Sequence, residues 1–238
     1  MMHNYTLKQT LSRTGKTVRT FLLVILCLQL SVVSLFAQTT TFKSGSVIID
    51  MGAASPTAGN SLKPYGLIYS LLKNYSIPVS CVINQTKVKD GIDFTYNGKS
   101  YRGGSYIIPA EFRSDAVNSL LNSWAAQGVL LTYTTSDLTV DVTFKFSFAP
   151  KWVMDKQNGS IAVAFLTAAG IPSSAYSFKE PYQLAGCDDI FVMPHADPTW
   201  AVHRNLYFWN KDYRGAIWAG CHAPAYWKPL PRILLLVV

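Results

Sequence analysis

The sequence predicts an α/β fold with a largely parallel sheet, on three observations. Short apolar runs alternate with segments of helical period. Several of those runs end in a polar or acidic residue. The order strand, helix, strand, strand, helix, strand occurs twice.

Ser46-Val-Ile-Ile-Asp50 is the first such run, and a Gly/Ser/Pro/Asn loop follows it to about Asn60. Leu62, Tyr65, Gly66, Ile68, Tyr69 and Leu72 recur at three and four and mark one face of a helix. Ile77 to Ile83 reads as a second strand, and Asp93 to Tyr101 as a hairpin turning at Asn97-Gly98. Ser105-Tyr-Ile-Ile-Pro109 is a strand. A helix is expected from about Ser114 to Gln127, with Ser114-Asp115 as its cap and Gly128 as its stop. Val129 to Tyr133 is again strand-like. Ser136 to Phe148 alternates apolar and polar residues and reads as an antiparallel excursion with one solvated face.

The order then restarts. Pro150 to Asp155 answers Ser46 to Asp50, and Ile161 to Ala169 is a helix stopped by Gly170. Ile171-Pro172 answers Ile77-Pro78, each straight after a helix, and Asp189 to Pro194 answers Tyr106 to Pro109. A helix from about Thr199 to Trp209 leads into the apolar run Ala216 to Ala219, which ends at Gly220-Cys221-His222.

Ahead of this domain, residues 1–19 carry Lys8, Arg13, Lys16 and Arg19 and no acid, and a strongly apolar run from Phe21 to Phe36 follows. A basic region, an apolar region and Ala37 before a polar stretch form a secretory signal peptide over 1–37. An uncleaved N-terminal anchor is the alternative, and the only membrane contact expected is through that segment. The chain is thus divided into a signal at 1–37, an α/β domain at 38–223 and a poorly specified tail at 224–238. That tail holds three prolines between Pro224 and Pro231 and ends in an apolar run, as a truncated chain would. Twenty-one basic residues, less the four in the signal, face thirteen acids, so the mature chain is +4. No basic cluster with interleaved aromatics appears, which excludes nucleic acid as the expected partner.

In an open parallel sheet, ligands bind beyond the carboxyl ends of the strands. Asp50, Glu111, Asp155, His195 and Cys221 all fall at or just after predicted strand ends, which would gather them on one edge. Asp50, Asp155, Asp197 and Trp200 are the candidate ligand-binding residues, Trp200 as one of several aromatics near His195 able to line a sugar or small-molecule site. Asp50 and Asp155 have a plainer reading as caps of the turns that follow them. Cys221, with His222, His195 and Glu111, forms the candidate catalytic set, because a thiol on a sharp turn at a strand end is open to activation by a neighbouring base. Cys187 precedes its strand and Cys221 follows its own, so in parallel strands they lie too far apart for a disulfide. Cys187-Asp188-Asp189 lacks the rest of a calcium loop, and no metal or cofactor is expected.

Ala216-Ile-Trp-Ala-Gly-Cys-His-Ala223 resembles the nucleophile turn of the class I glutamine amidotransferase-like superfamily, and Asp189-Ile-Phe-Val-Met-Pro-His-Ala196 the strand that precedes it. The resemblance implies a flavodoxin-like three-layer sandwich and a nucleophilic role for Cys221. It departs where that superfamily takes its base and acid, beyond the nucleophile. The export signal with an Ala-Gln processing site is similar to those of Bacteroidetes-type surface proteins. The expected function is therefore an exported ligand-binding module at the cell surface or secreted, recognising a small molecule or glycan at the carboxyl edge of its sheet. The alternative is a thiol-dependent hydrolase or amidotransferase-like enzyme built on Cys221.

Overall fold

The computed structural model describes residues 38–52, 58–195 and 200–220, with residues 38, 58–60 and 200 described in backbone only. The expected signal peptide, Asp197, Cys221, His222 and the tail at 224–238 lie outside the described residues, as does the side chain of Trp200.

Its elements are β1 (Gln38–Phe42), β2 (Val47–Ile49), α1 (Ala58–Tyr75), β3 (Val79–Cys81), β4 (Phe94–Tyr96), β5 (Lys99–Tyr101) and β6 (Tyr106–Ile108). Then come α2 (Asp115–Ala125), β7 (Leu131–Tyr133), β8 (Leu138–Val142), β9 (Phe144–Phe146), β10 (Trp152–Asp155) and α3 (Ser160–Ala169). The last are β11 (Tyr176–Lys179), β12 (Ile190–Met193), α4 (Trp200–Tyr213) and β13 (Ala216–Ala219).

Local signals act where the sequence puts them. Ser114 caps α2, its hydroxyl accepting the Val117 N–H at 3.3 Å. Gly170 ends α3 with φ 77°, a left-handed residue that lets its N–H reach back to the last turn. Asn97 and Gly98 both have positive φ, 46° and 76°, which is what the tight turn between β4 and β5 requires.

The expectation of a mostly parallel, flavodoxin-like sandwich is corrected. Of the sheets among the described residues, β1-β8, β4-β5 and the five-stranded sheet β7-β2-β6-β3-β9 are antiparallel; β11-β10-β12-β13 alone is parallel. The physical reason lies in how the strand–helix–strand units combine. β2 and β3, joined by α1, run the same way, since both are antiparallel to β6. β6 and β7, joined by α2, also run the same way, since both are antiparallel to β2. Each unit leaves a gap one strand wide, and the other unit fills it in the opposite direction, as in a split β-α-β-β-α-β motif. Alternation of strands and helices fixes the relation of β2 to β3; it leaves open which strand sits between them.

One face of the antiparallel sheet carries Val47, Ile49, Val79, Cys81, Tyr106 and Ile108, which pack beneath Leu67 and Leu71 of α1 and Leu121 and Trp124 of α2. Ile48 and Ile107, pointing the other way, are covered by Phe42, Leu138 and Val140 of the β1-β8 ribbon and by Tyr96 and Tyr101 of the β4-β5 hairpin.

The parallel sheet is sandwiched differently. Met154 and Val192 face Ala162 of α3, while Val153, Phe191, Met193, Ile217 and Ala219 face Leu206 and Trp209 of α4. Its strands run in the order second, first, third, fourth, with α3 and α4 on opposite faces. The two sheets meet through α1 and α3. Gly66 of α1 sits against the Ala169 carbonyl and the Trp124 ring so closely that a Cβ there would overlap both. Nearby, the Tyr69 and Trp152 rings lie 5.4 Å apart. Among the described residues no helix is long and apolar enough to cross a membrane.

Candidate functional site

The two-sheet architecture separates the residues that the sequence placed on one edge. Asp50 follows β2 and Glu111 follows β6; those strands are antiparallel neighbours, so the two acids stand at opposite ends of the antiparallel sheet. Glu111 is exposed on a short 3₁₀ turn at Ala110–Phe112. Asp50 is buried, but both its oxygens are engaged. One accepts the Gly52 N–H at 2.9 Å, and the other is 2.9 Å from the Lys99 ammonium. Asp50 is therefore the turn cap of its plainer reading.

Asp155 and His195 belong to the parallel sheet. Asp155 is the last residue of β10, and His195 lies two residues beyond β12, its neighbour, in an exposed turn. Chain order runs from β10 to β11 on one side and returns to β12 on the other. The carboxyl end of β10 is thus the point at which the strand order reverses, where open parallel sheets place ligands.

Asp155 is buried like Asp50 but differs in its partners. It is 1 % exposed, and neither carboxylate oxygen closes a hydrogen bond. By the two-residue alternation of a strand it points to the same face as Val153, the face covered by α4. His203, 2 % exposed in the first turn of α4, lies near enough for its charge to act on the carboxylate. Burial pushes the Asp155 carboxyl above its ordinary value. The Gln157 and Asn158 amides and the His203 imidazole work against that shift, while Glu180 adds to it. Those amides lie close enough to favour the charge without completing a bond of ordinary geometry. The Ser177 hydroxyl, one strand over on the same face, is also buried without a partner.

The nearest cation in the ladder is committed elsewhere. Lys179 stands beside Asp155 in register, but its ammonium bonds both oxygens of Asp188, at 2.8 and 2.7 Å. Asp188 precedes β12, so Lys179 folds back along the sheet toward the amino edge. Cys187 lies at that same edge, exposed, 3.8 Å from the Lys151 ammonium. Cys81 is buried in the antiparallel sheet, and burial pushes its thiol up to about 11. Among the described residues no group of three His, Cys, Asp or Glu side chains is placed to hold a metal ion.

β13 is followed by Gly220, whose N–H bonds the Met193 carbonyl at 3.2 Å. A Cβ at Gly220 would overlap the Pro194 carbonyl, so the chain passes tightly against the end of β12 just before Cys221. His203 and Ser177 escaped the sequence reading. His203 carried a signal: with Leu206 and Trp209 it forms a stripe spaced by three on α4, and the other two are core residues. Ser177 had none, because the strand after the second-half helix was expected at Ile171-Pro172 and lies instead at Tyr176–Lys179.

No family model, curated protein or solved structure matches this chain.

Proposed function

We propose that this protein is an exported ligand-binding module that takes a small polar molecule or a sugar at the carboxyl edge of its parallel sheet, with Asp155 as the anchoring group. The observation that carries this reading is the buried carboxylate with two unpaired oxygens at the strand-order reversal. Buried polar groups in proteins are almost always hydrogen-bonded, and one without a partner is destabilising unless a ligand completes it. His203 and Ser177 supply further hydrogen-bonding groups on the same face. The basic and apolar residues of 1–37 support export. A thermal-shift screen of sugars and small polar molecules, run in parallel on the native chain and on Asp155→Asn, tests the reading. Ligands that stabilise the native chain and lose that effect in the variant support it. A binder equally effective on both places the site elsewhere.

A second reading, thiol chemistry at Cys221, is favoured by one observation. Gly220, which precedes Cys221 in the chain, is pressed on the Pro194 carbonyl at the same edge. Alkylation with iodoacetamide across pH tests it. Selective modification of Cys221 with an apparent pKa well below the free-thiol value of about 8.5 supports an activated thiolate, and slow labelling removes the idea.

A further inference from the structure

We infer that the ligand of the Asp155 site carries a positively charged amine, and that its binding displaces a proton from the site. This rests on the reading of Asp155 as the anchoring group and names the chemistry that the anchor selects. Three placements lead to it. Both Asp155 oxygens are unpaired and buried, so the group has room in its hydrogen-bonding capacity for a bidentate or doubly bonded donor. The cation that the ladder sets beside it, Lys179, is held by Asp188. The charged group of β11's end that does act on Asp155 is Glu180, an acid.

The groups around Asp155 can be taken element by element. β10 continues into Lys156, which is exposed, and β11 offers Lys179 and Glu180. β12 is followed by His195, exposed, and α4 presents His203. The negative charge of Asp155 and Glu180 thus has His203 near it and, among the described residues, no ion pair with a Lys or Arg. In the unliganded state such a carboxyl keeps its proton more readily than an exposed one, because a buried charge without a partner is poorly solvated. An incoming ammonium supplies the missing charge and makes two or three charge-assisted hydrogen bonds. The carboxyl then ionises and its proton passes to solvent. A neutral polyol makes hydrogen bonds to the same oxygens but has no reason to displace the proton. The two ligand classes therefore differ in an observable besides affinity.

The test uses isothermal titration of the full chain with glucosamine against glucose, and butylamine against butanol, each in phosphate and in Tris buffer. The expected result is tighter binding of the amine in each pair, by about tenfold or more. The heat should depend on buffer in the way that proton release requires, and butylamine affinity should rise with pH as the Asp155 carboxyl, held above its ordinary value, gives up its proton. Asp155→Asn, which keeps the shape and cannot ionise, should lose both the preference and the buffer dependence. Far-ultraviolet circular dichroism of the variant checks its fold, and the buffer dependence of the native chain stands without it. Neutral partners binding as well as the amines, with loss in Asp155→Asn, would overturn the amine inference and keep the binding site. Amine binding unchanged in Asp155→Asn overturns both. Absence of amine binding in the native chain at millimolar concentrations overturns the inference.

Discussion

Lys179 stands directly beside Asp155 in the parallel ladder, yet its ammonium is bonded to Asp188. The sheet therefore places a cation next to a buried acid and then withdraws it. Burial pushes the Asp188 carboxyl up, but the Lys179 ammonium and the Ala185 amide outweigh burial and hold it below its ordinary value. That stabilisation is complete above the unfolded value of about 4 and fades as pH falls through the lower folded value. Asp188→Asn should lower stability by roughly 2–3 kcal/mol, less than the usual loss for a fully buried pair because Lys179 is partly exposed. Urea denaturation at neutral and at acid pH checks this, since the difference between variant and native chain should shrink in acid.

Asp155 reverses that sign. Its carboxyl is held above its ordinary value, so folding takes up a proton there, and stability declines as pH rises from the unfolded value through the folded one. Asp155→Asn should stabilise the unliganded protein at neutral pH by about 1 kcal/mol, with a rise in Tm of about 2–4 °C, while abolishing ligand binding. A fall in Tm of the unliganded variant would show that the carboxylate is paired in solution.

Tyr96 offers a spectroscopic handle. Its phenol lies against Ser136 and Thr135, accepts the Thr135 N–H at 2.7 Å and the Ser136 N–H at 3.0 Å, and is lowered to about 8. Phenolate absorbance should grow in near pH 8, well before the bulk of the tyrosines, and should be missing from Tyr96→Phe. Because the folded value is depressed, ionisation adds stability as pH rises from there toward the ordinary value of about 10.

The helix crossing at Gly66 has no space for a side chain. Gly66→Ala should destabilise by about 1–3 kcal/mol through overpacking against the Ala169 carbonyl and the Trp124 ring. A native-like urea midpoint in this variant would show that α1 and α3 can separate at little cost.

Thiol reactivity should sort by position. Cys187 is exposed and should react with a disulfide reagent in the native state. Cys81, buried and with its thiol pushed up to about 11, should react only on unfolding. Mass mapping before and after denaturant distinguishes the two.

Much of the local structure was legible in the residues. Ser114, Gly128 and Gly170 mark real helix ends, and the Asn97-Gly98 turn is a hairpin turn with both residues left-handed. Asp155 was legible as a residue at a strand end, but its buried state was not. Asp50 looked the same in sequence and proved to be a paired turn cap. Only packing distinguishes them, because Lys99 reaches Asp50 from a hairpin about fifty residues away in the chain, whereas Lys179 is drawn from Asp155 to Asp188.

The same division holds for the fold. The repeated order strand, helix, strand, strand, helix, strand follows from residue periodicity and turn chemistry, which act over a few residues, and the sequence by itself determined it. Strand direction was decided by tertiary structure. Between β3 and β6 the chain makes a hairpin excursion and re-enters beside β3 reversed, so that the two strand–helix–strand units interleave. Between β11 and β12 it turns through a 3₁₀ segment at Pro181–Gln183 against α4 and re-enters beside β10 in the same direction. Identical element strings thus produce an antiparallel sheet in one half and a parallel sheet in the other. Each connection is a long-range closure whose outcome depends on which faces bury, and burial is a property of the assembled core.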